Sequence, residues 1–222
     1  MRVPLMTTVP KCGRGGKLPA SAVILGGGRG RRMGGNKLFL TYQGVPLLES
    51  ALFRLSPYFQ EILLSVGPED REPLKRLLSG ISLECPLKIV EDRSPGRGPL
   101  EGVARSLEAL STEWGFFIGC DMPWVREIVV RTLWEAREEK SQALVARIEG
   151  YLEPLHAFYA RSCLASVQMA LKEGENRLKS FYASVEVTVA EESLFASLPG
   201  YRRSFRGMNT PEDLRYFENP HL

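Results

Sequence analysis

Residues 22–37 read AVILGGGRGRRMGGNK, an apolar run followed by glycines at 26–28, arginines at 29, 31 and 32, two more glycines at 34 and 35, and then Lys37. A strand that stops abruptly in a stretch with almost no side-chain bulk lets backbone N–H groups converge on an anion. Arg32 and Lys37, with Arg29 and Arg31 beside them, supply the charge that a polyphosphate needs. Farther along, Asp121 closes the apolar run Phe116-Phe117-Ile118-Gly119-Cys120. A carboxylate there is costly unless a cation meets it. A magnesium ion bridging nucleotide phosphates suits the position, because it is hard and is commonly held by one or two carboxylates plus phosphate oxygens. The competing reading makes Asp121 an N-cap for the helix expected after Pro123.

Two better-known phosphate motifs are excluded. The P-loop ends in Gly-Lys followed by Ser or Thr, whereas here Asn36 precedes Lys37 and Leu38 follows it. The dinucleotide fingerprint fails at its third glycine, where Met33 stands.

The elements that must position these residues alternate in kind. Short apolar runs at 22–25, 61–66, 86–90 and 114–120 read as strands. Between and after them, helical spacing runs from Leu47 to Leu55, over 69–78, from Pro99 through Val103, Leu107 and Leu110, and over 125–140. That alternation predicts an α/β fold, a doubly wound and mostly parallel sheet with helices on both faces. Such sheets bind ligands outside the carboxyl ends of their strands. The glycine stretch, Ser65, Asp92 and Asp121 all fall at expected strand ends, so they should share one edge. In the second half, strands are expected at 143–147 and 152–160 around a turn, an antiparallel addition, and at 185–189. Helices are expected at 161–173, at 176–183 and after Pro211, the last capped by Asn209 or Thr210.

At 222 residues the chain suits one domain, expected over 21–222. Residues 1–20 read as a basic, disordered extension, or as a start upstream of the true one near Leu18. The net charge of +3 is local, since residues 1–37 carry Lys and Arg but no acid. This favours a basic pocket over a nucleic-acid surface. No run is long enough for a membrane span, and Cys12, Cys85, Cys120 and Cys163 form no C-x-x-C pair. With His156 and His221 as the only histidines, no zinc site can be drawn, and reduced thiols point to the cytoplasm.

The order of motifs resembles a known family. Leu25-Gly26-Gly27 through Arg32-Met33-Gly34-Gly35 to Lys37, then Asp92, Gly98-Pro99-Leu100-Glu101-Gly102, Cys120-Asp121-Met122-Pro123 and Asn209-Thr210-Pro211-Glu212, is similar to the signature of nucleotidyltransferases. It most closely resembles the molybdenum cofactor guanylyltransferases. The resemblance implies transfer of GMP from GTP to molybdopterin, with Mg²⁺ as cofactor and cofactor-biosynthesis or acceptor enzymes as partners. It implies catalytic roles for Arg32, Lys37 and Asp121, with Asp121 holding the metal. It also implies nucleotide contacts from Leu25, Gly26, Gly27, Lys37, Ser65, Asp92 and Asp121, and a pterin side near His156 and Asn209. His156 taken alone reads more readily as a packed or bridging histidine, and Asn209 reads equally as a helix cap. Three departures stand out: Asn36 where the family usually has aspartate, Gly207 where it commonly has asparagine, and Gly26 where alanine is usual. A CTP-dependent relative, a sugar-phosphate nucleotidyltransferase and a non-catalytic nucleotide-binding adaptor remain open, because phosphate contacts are blind to the base.

Overall fold

Six consecutive buried residues, Ala20–Leu25, form strand β1 at the middle of a sheet. The computed structural model describes residues 16–26, 36–93, 98–208 and 210–218. After β1 come a small hairpin of β2 (Thr41–Tyr42) and β3 (Val45–Pro46), helix α1 (Leu47–Leu55), β4 (Ile62–Val66), α2 (Arg71–Leu78) and β5 (Leu87–Glu91). The chain continues through α3 (Pro99–Ala109), β6 (Trp114–Gly119), α4 (Glu127–Glu135), β7 (Ala143–Ile148) and β8 (Tyr151–Ala160). It ends with α5 (Leu164–Lys172), β9 (Val187–Glu191), α6 (Tyr201–Phe205) and α7 (Pro211–Glu218).

The main sheet has seven strands in the order β5-β4-β1-β6-β8-β7-β9. The pairs β5–β4, β4–β1, β1–β6 and β7–β9 are parallel, and β8 alone runs against its neighbours. Because side chains alternate along a strand, β1 serves two cores. Ala22 and Ile24 pack on one face with Leu48, Leu52, Val129 and Leu133 from α1 and α4. Val23 and Leu25 pack on the other with Val103 and Leu107 of α3 and Val167 of α5. Helices therefore cover both faces, and both sides of the parallel half read as the nearly continuous apolar runs expected of such strands.

The parallel strands end together. Leu25 is level with Ser65 of β4 and with Gly119 of β6. Gly26 N–H donates to the Ser65 carbonyl at 2.8 Å, Cys120 N–H to the Leu25 carbonyl at 3.1 Å, and Asp92 N–H to the Val66 carbonyl at 3.0 Å. Gly26, Ser65, Asp92 and Asp121 are thus aligned by the backbone ladder itself.

Several expectations need correction. The ordered fold reaches back into the expected extension: Leu18 is buried in the core, its N–H bonded to the Tyr58 carbonyl at 2.7 Å, and Ala20 already belongs to β1. The helix expected over 125–140 is only Glu127–Glu135, because Ser141 Oγ accepts the Glu138 N–H and turns the chain. Residues 176–183 form no α-helix; i to i+3 bonds such as Ser180 N–H to the Arg177 carbonyl and Tyr182 N–H to the Lys179 carbonyl wind them into turns. A 3₁₀ turn, Arg161–Cys163, precedes α5, the strand expected at 185–189 is β9 two residues later, and α6 was not expected.

The start of β4 carries a buried acid. Glu61 accepts hydrogen bonds from Ser21 Oγ at 2.8 Å and Ser111 N–H at 2.7 Å, and it pairs with Lys88 Nζ at 2.5 Å. Burial alone would push its carboxyl up, but Lys88, Ser111 and Ser21 outweigh it and bring it down to about 2. A folded-state value below the ordinary one stabilises the fold above pH ~4.5, and this contribution fades as pH falls through about 2. Glu61→Gln should therefore cost about 1–3 kcal/mol at pH 7, with the gap to the parent narrowing towards pH 2 in urea melts.

Candidate active site

The turn that follows residues 27–35 is anchored at three points. Lys37–Phe39 form a 3₁₀ turn, with Asn36 Oδ1 accepting the Leu38 N–H at 3.1 Å as an N-cap. Leu38 is fully buried, and its Cδ2 lies 2.4 Å from where a Cβ on Gly26 would stand. Glycine at 26 thus makes room for the Leu38 plug, which accounts for the departure from alanine. Asn36 Nδ2 donates to Asp70 Oδ1 at 2.5 Å.

With the turn so held, Lys37 Nζ reaches Asp121 Oδ2 at 2.7 Å across 84 positions of sequence. Asp121 is buried, and its backbone carbonyl accepts the Met208 N–H at 2.7 Å. Its other oxygen, Oδ1, lies 2.5 Å from the position a Cβ on Gly119 would take. The carboxylate is therefore a hard oxygen donor already matched to a cation, the donor chemistry that Mg²⁺ selects. Cys120 beside it is no nucleophile: burial, with Asp121 adding to it, pushes the thiol up to about 12.

A second group lies on the other side of β1. Ser65 Oγ donates to Asp92 Oδ1 at 3.3 Å. A Cβ on Gly102 of α3 would lie 2.7 Å from Ser65 Oγ, 3.2 Å from Leu25 Cδ2 and 3.7 Å from Asp92 Oδ1. The helix backbone comes this close because residue 102 has no side chain. Burial, reinforced by Glu101 and Glu69 and opposed by the Ser65 bond, pushes the Asp92 carboxyl up to about 6.

The structure thus brings Lys37 to Asp121, and Ser65 to Asp92 beside Leu25, with Gly26 between the two groups. Gly27, Arg32 and Asn209 lie outside the described residues. His156, expected on the pterin side, is fully buried. Its ring meets Phe116 edge-on at 5.0 Å and Phe205 at 4.2 Å, and its Nε2 is 2.9 Å from Ser204 Oγ. Burial pulls its imidazole down to about 3, so it is neutral and lies inside the core. Two contributors escaped the sequence reading. Gly102 stood in a quoted motif with no spatial partner to give it meaning, and Asp70 looked like one acid of a charged helix start.

The model of the MobA-like NTP transferase domain matches residues 22–189. The chain belongs to that family. Within it, the chain is 30% identical over 195 residues to the molybdenum cofactor guanylyltransferase of Syntrophotalea carbinolica, covering 87% of this chain and 88% of the relative. It also superposes, at a TM-score of 0.74 and 25% identity, on molybdopterin-guanine dinucleotide biosynthesis protein A from Archaeoglobus fulgidus, over 88% of this chain and 95% of that one. A 4-diphosphocytidyl-2C-methyl-D-erythritol synthase from Anaerococcus prevotii shares the fold, with a TM-score of 0.63 and 17% identity over 90% of this chain and 96% of that one. The MobA-like fold and the nucleotidyltransferase class of the enzyme follow from this membership.

Asp92 gives a test that needs no ligand. Its folded-state carboxyl is raised, so the fold holds that proton more tightly than the unfolded chain, and ionisation penalises the fold fully above pH about 6. Asp92→Asn should raise the unfolding midpoint at pH 8 and leave it unchanged near pH 4, as read by thermal melts across that range.

Proposed function

We propose that this MobA-like transferase moves GMP from GTP to the phosphate of molybdopterin and releases pyrophosphate. The observation that carries the reading is the pair of groups flanking the end of β1, Lys37–Asp121 on one side and Ser65–Asp92 on the other. One group is suited to a triphosphate and its metal, the other to a base. The names of the relatives described above point the same way.

The chain's residues divide the work by chemistry. The acceptor phosphate attacks the α-phosphorus in line; a P–O bond forms as the bond to pyrophosphate breaks, and the electron pair leaves with pyrophosphate. A phosphate oxyanion needs no base and no covalent enzyme intermediate, so catalysis is positioning and charge neutralisation. Lys37, and Arg32 beside it in sequence, neutralise the departing charge. Asp121 would hold Mg²⁺, which supplies polarisation of phosphate oxygens when bound. Leu25, Gly26 and Gly27 bring backbone close to the nucleotide. Asp92, ionised above pH about 6, offers the acceptor that the N1–H and amino donors of guanine require, whereas cytosine presents a single donor group on that edge.

Among the described residues no helix is long and apolar enough to cross a membrane, and Cys85, Cys120 and Cys163 are unpaired. In this reading the compartment is the cytoplasm and the partners are enzymes that make or receive the cofactor. Asn209 stays on the pterin side in this reading; His156 does not.

Two measurements test it. Thermal-shift titration with GTP, CTP, ATP and NAD, with and without Mg²⁺, should give stabilisation with GTP and Mg²⁺, about 2.7 kcal/mol at a hundred times Kd. A preference for CTP would redirect the reading to cytidylyl transfer. Asp121→Ala should abolish pyrophosphate release while keeping the parent's circular dichroism; an active, Mg²⁺-dependent variant would remove Asp121 from the mechanism.

A further inference from the structure

We infer that the Asn36–Asp70 hydrogen bond is a positioning device that fixes the Lys37 turn relative to the base side of the nucleotide site, so that Asn36 and Asp70 act together as positioning residues for the phosphate lysine. The inference rests on the nucleotide reading above. Asn36 uses both ends of its amide. Oδ1 caps the turn through Leu38 N–H at 3.1 Å, and Nδ2 donates to Asp70 Oδ1 at 2.5 Å. The first bond shapes the turn that carries Lys37. The second ties that turn to another segment, the 3₁₀ turn Pro68–Asp70 that leaves strand β4.

That segment bears on the base side. It begins three residues beyond Ser65, and Glu69 within it is one of the charges that raise the Asp92 carboxyl. Asp70 is itself raised, by burial first and by Glu69 second, while the Asn36 bond works in the opposite direction. The amide donor thus serves an acid that is costly to bury unpaired. An aspartate at 36, the residue usual in the resembling family, would keep the cap but lose the donor, setting two carboxylates against each other. The residue at 36 and the acid at 70 are therefore chemically coupled, and the departure from the family pattern has a local partner.

The coupling is testable because substitution can separate the two bonds. Asn36→Asp retains an oxygen for Leu38 N–H and puts a second carboxylate oxygen where the donor to Asp70 was. The N36D/D70N double variant reverses the donor and acceptor and restores the bond. Affinity for GTP with Mg²⁺ would be measured by calorimetry on the full chain at pH 8, with thermal unfolding of each variant in buffer without nucleotide.

We expect N36D to weaken binding about tenfold, as loss of one partner of a partly buried polar pair can, and the double variant to recover most of that loss. Recovery of affinity by the exchange is a result that a purely local capping role would not give, since the cap is present in all three proteins. An unchanged Kd in N36D, or a double variant as weak as the single one, overturns the positioning role while leaving nucleotide binding by the parent intact. Failure of the parent to bind any nucleotide overturns the functional reading, and the positioning role falls with it. If N36D is too unstable to titrate, D70A, which leaves the Asn36 amide no acceptor at 70, takes its place: the positioning role requires D70A to bind more weakly than the parent and the double variant to recover most of that loss.

Discussion

Everything at the carboxyl edge of the sheet is arranged around the 2.7 Å contact between Lys37 Nζ and Asp121 Oδ2. A carboxylate that follows the buried strand β6 is costly to place there without a partner. The chain delivers one from far away in sequence, on a turn fixed by the Leu38 plug and the two Asn36 bonds. Lys37 and Asp121 retain 26% and 12% side-chain exposure, so water screens the pair and its net effect on stability is modest. Its consequence is spatial. The pair sets a positive and a negative group at bonding distance beside the ends of the parallel strands, where the proposed reading has a metal-bound polyphosphate exchange partners with both.

The parallel half of the sheet makes this arrangement possible, and the antiparallel half braces it. Leu25 is level with both Ser65 and Gly119, so β1 is the common wall of the two residue groups. On the far side of β6, strand β8 runs the other way and pairs Ile118 with His156, one residue before β6 ends. The C-terminal part of the chain then returns over the site: Met208 holds the Asp121 backbone, and Ser204 holds Arg126 N–H at the start of α4. The connection carrying Asp121 is thus clamped at both ends by one segment.

Much of this was legible in the sequence, and the reasons differ by element. Strand ends were readable because apolar runs stop at Gly26, Asp92 and Asp121, and alternation with helices fixed their common direction. The parallel order and the two helical faces followed from the same pattern. The failures came where local signals were outweighed. The turns over 176–183 have helical composition, yet their backbone bonds run from i+3 to i and Ser180 Oγ donates back to the Arg177 carbonyl. Of the two starts the sequence offered, 21 and near Leu18, the buried Leu18 side chain agrees with the second, which the basic residues before it had obscured. Asp70 was unreadable, since its partner lies 34 positions away.

His156 shows how a residue in a functional motif can serve the site from beneath it. Ser204 Oγ accepts the Arg126 N–H at 3.0 Å and lies 2.9 Å from His156 Nε2. If Nε2 carried the proton, the serine hydrogen and the Nδ1 lone pair would both lack partners. With the proton on Nδ1, the serine donates to Nε2 and Nδ1 alone is unpaired, as it is among the described residues. The second tautomer leaves fewer buried groups unsatisfied and is the one the packing favours. Packed between Phe116 and Phe205, a neutral histidine in that form ties α6 to β8 and, through Ser204, to the start of α4. His156 thus retains a link to the site through the geometry of Asp121's connection, with no need for the imidazole to touch a substrate.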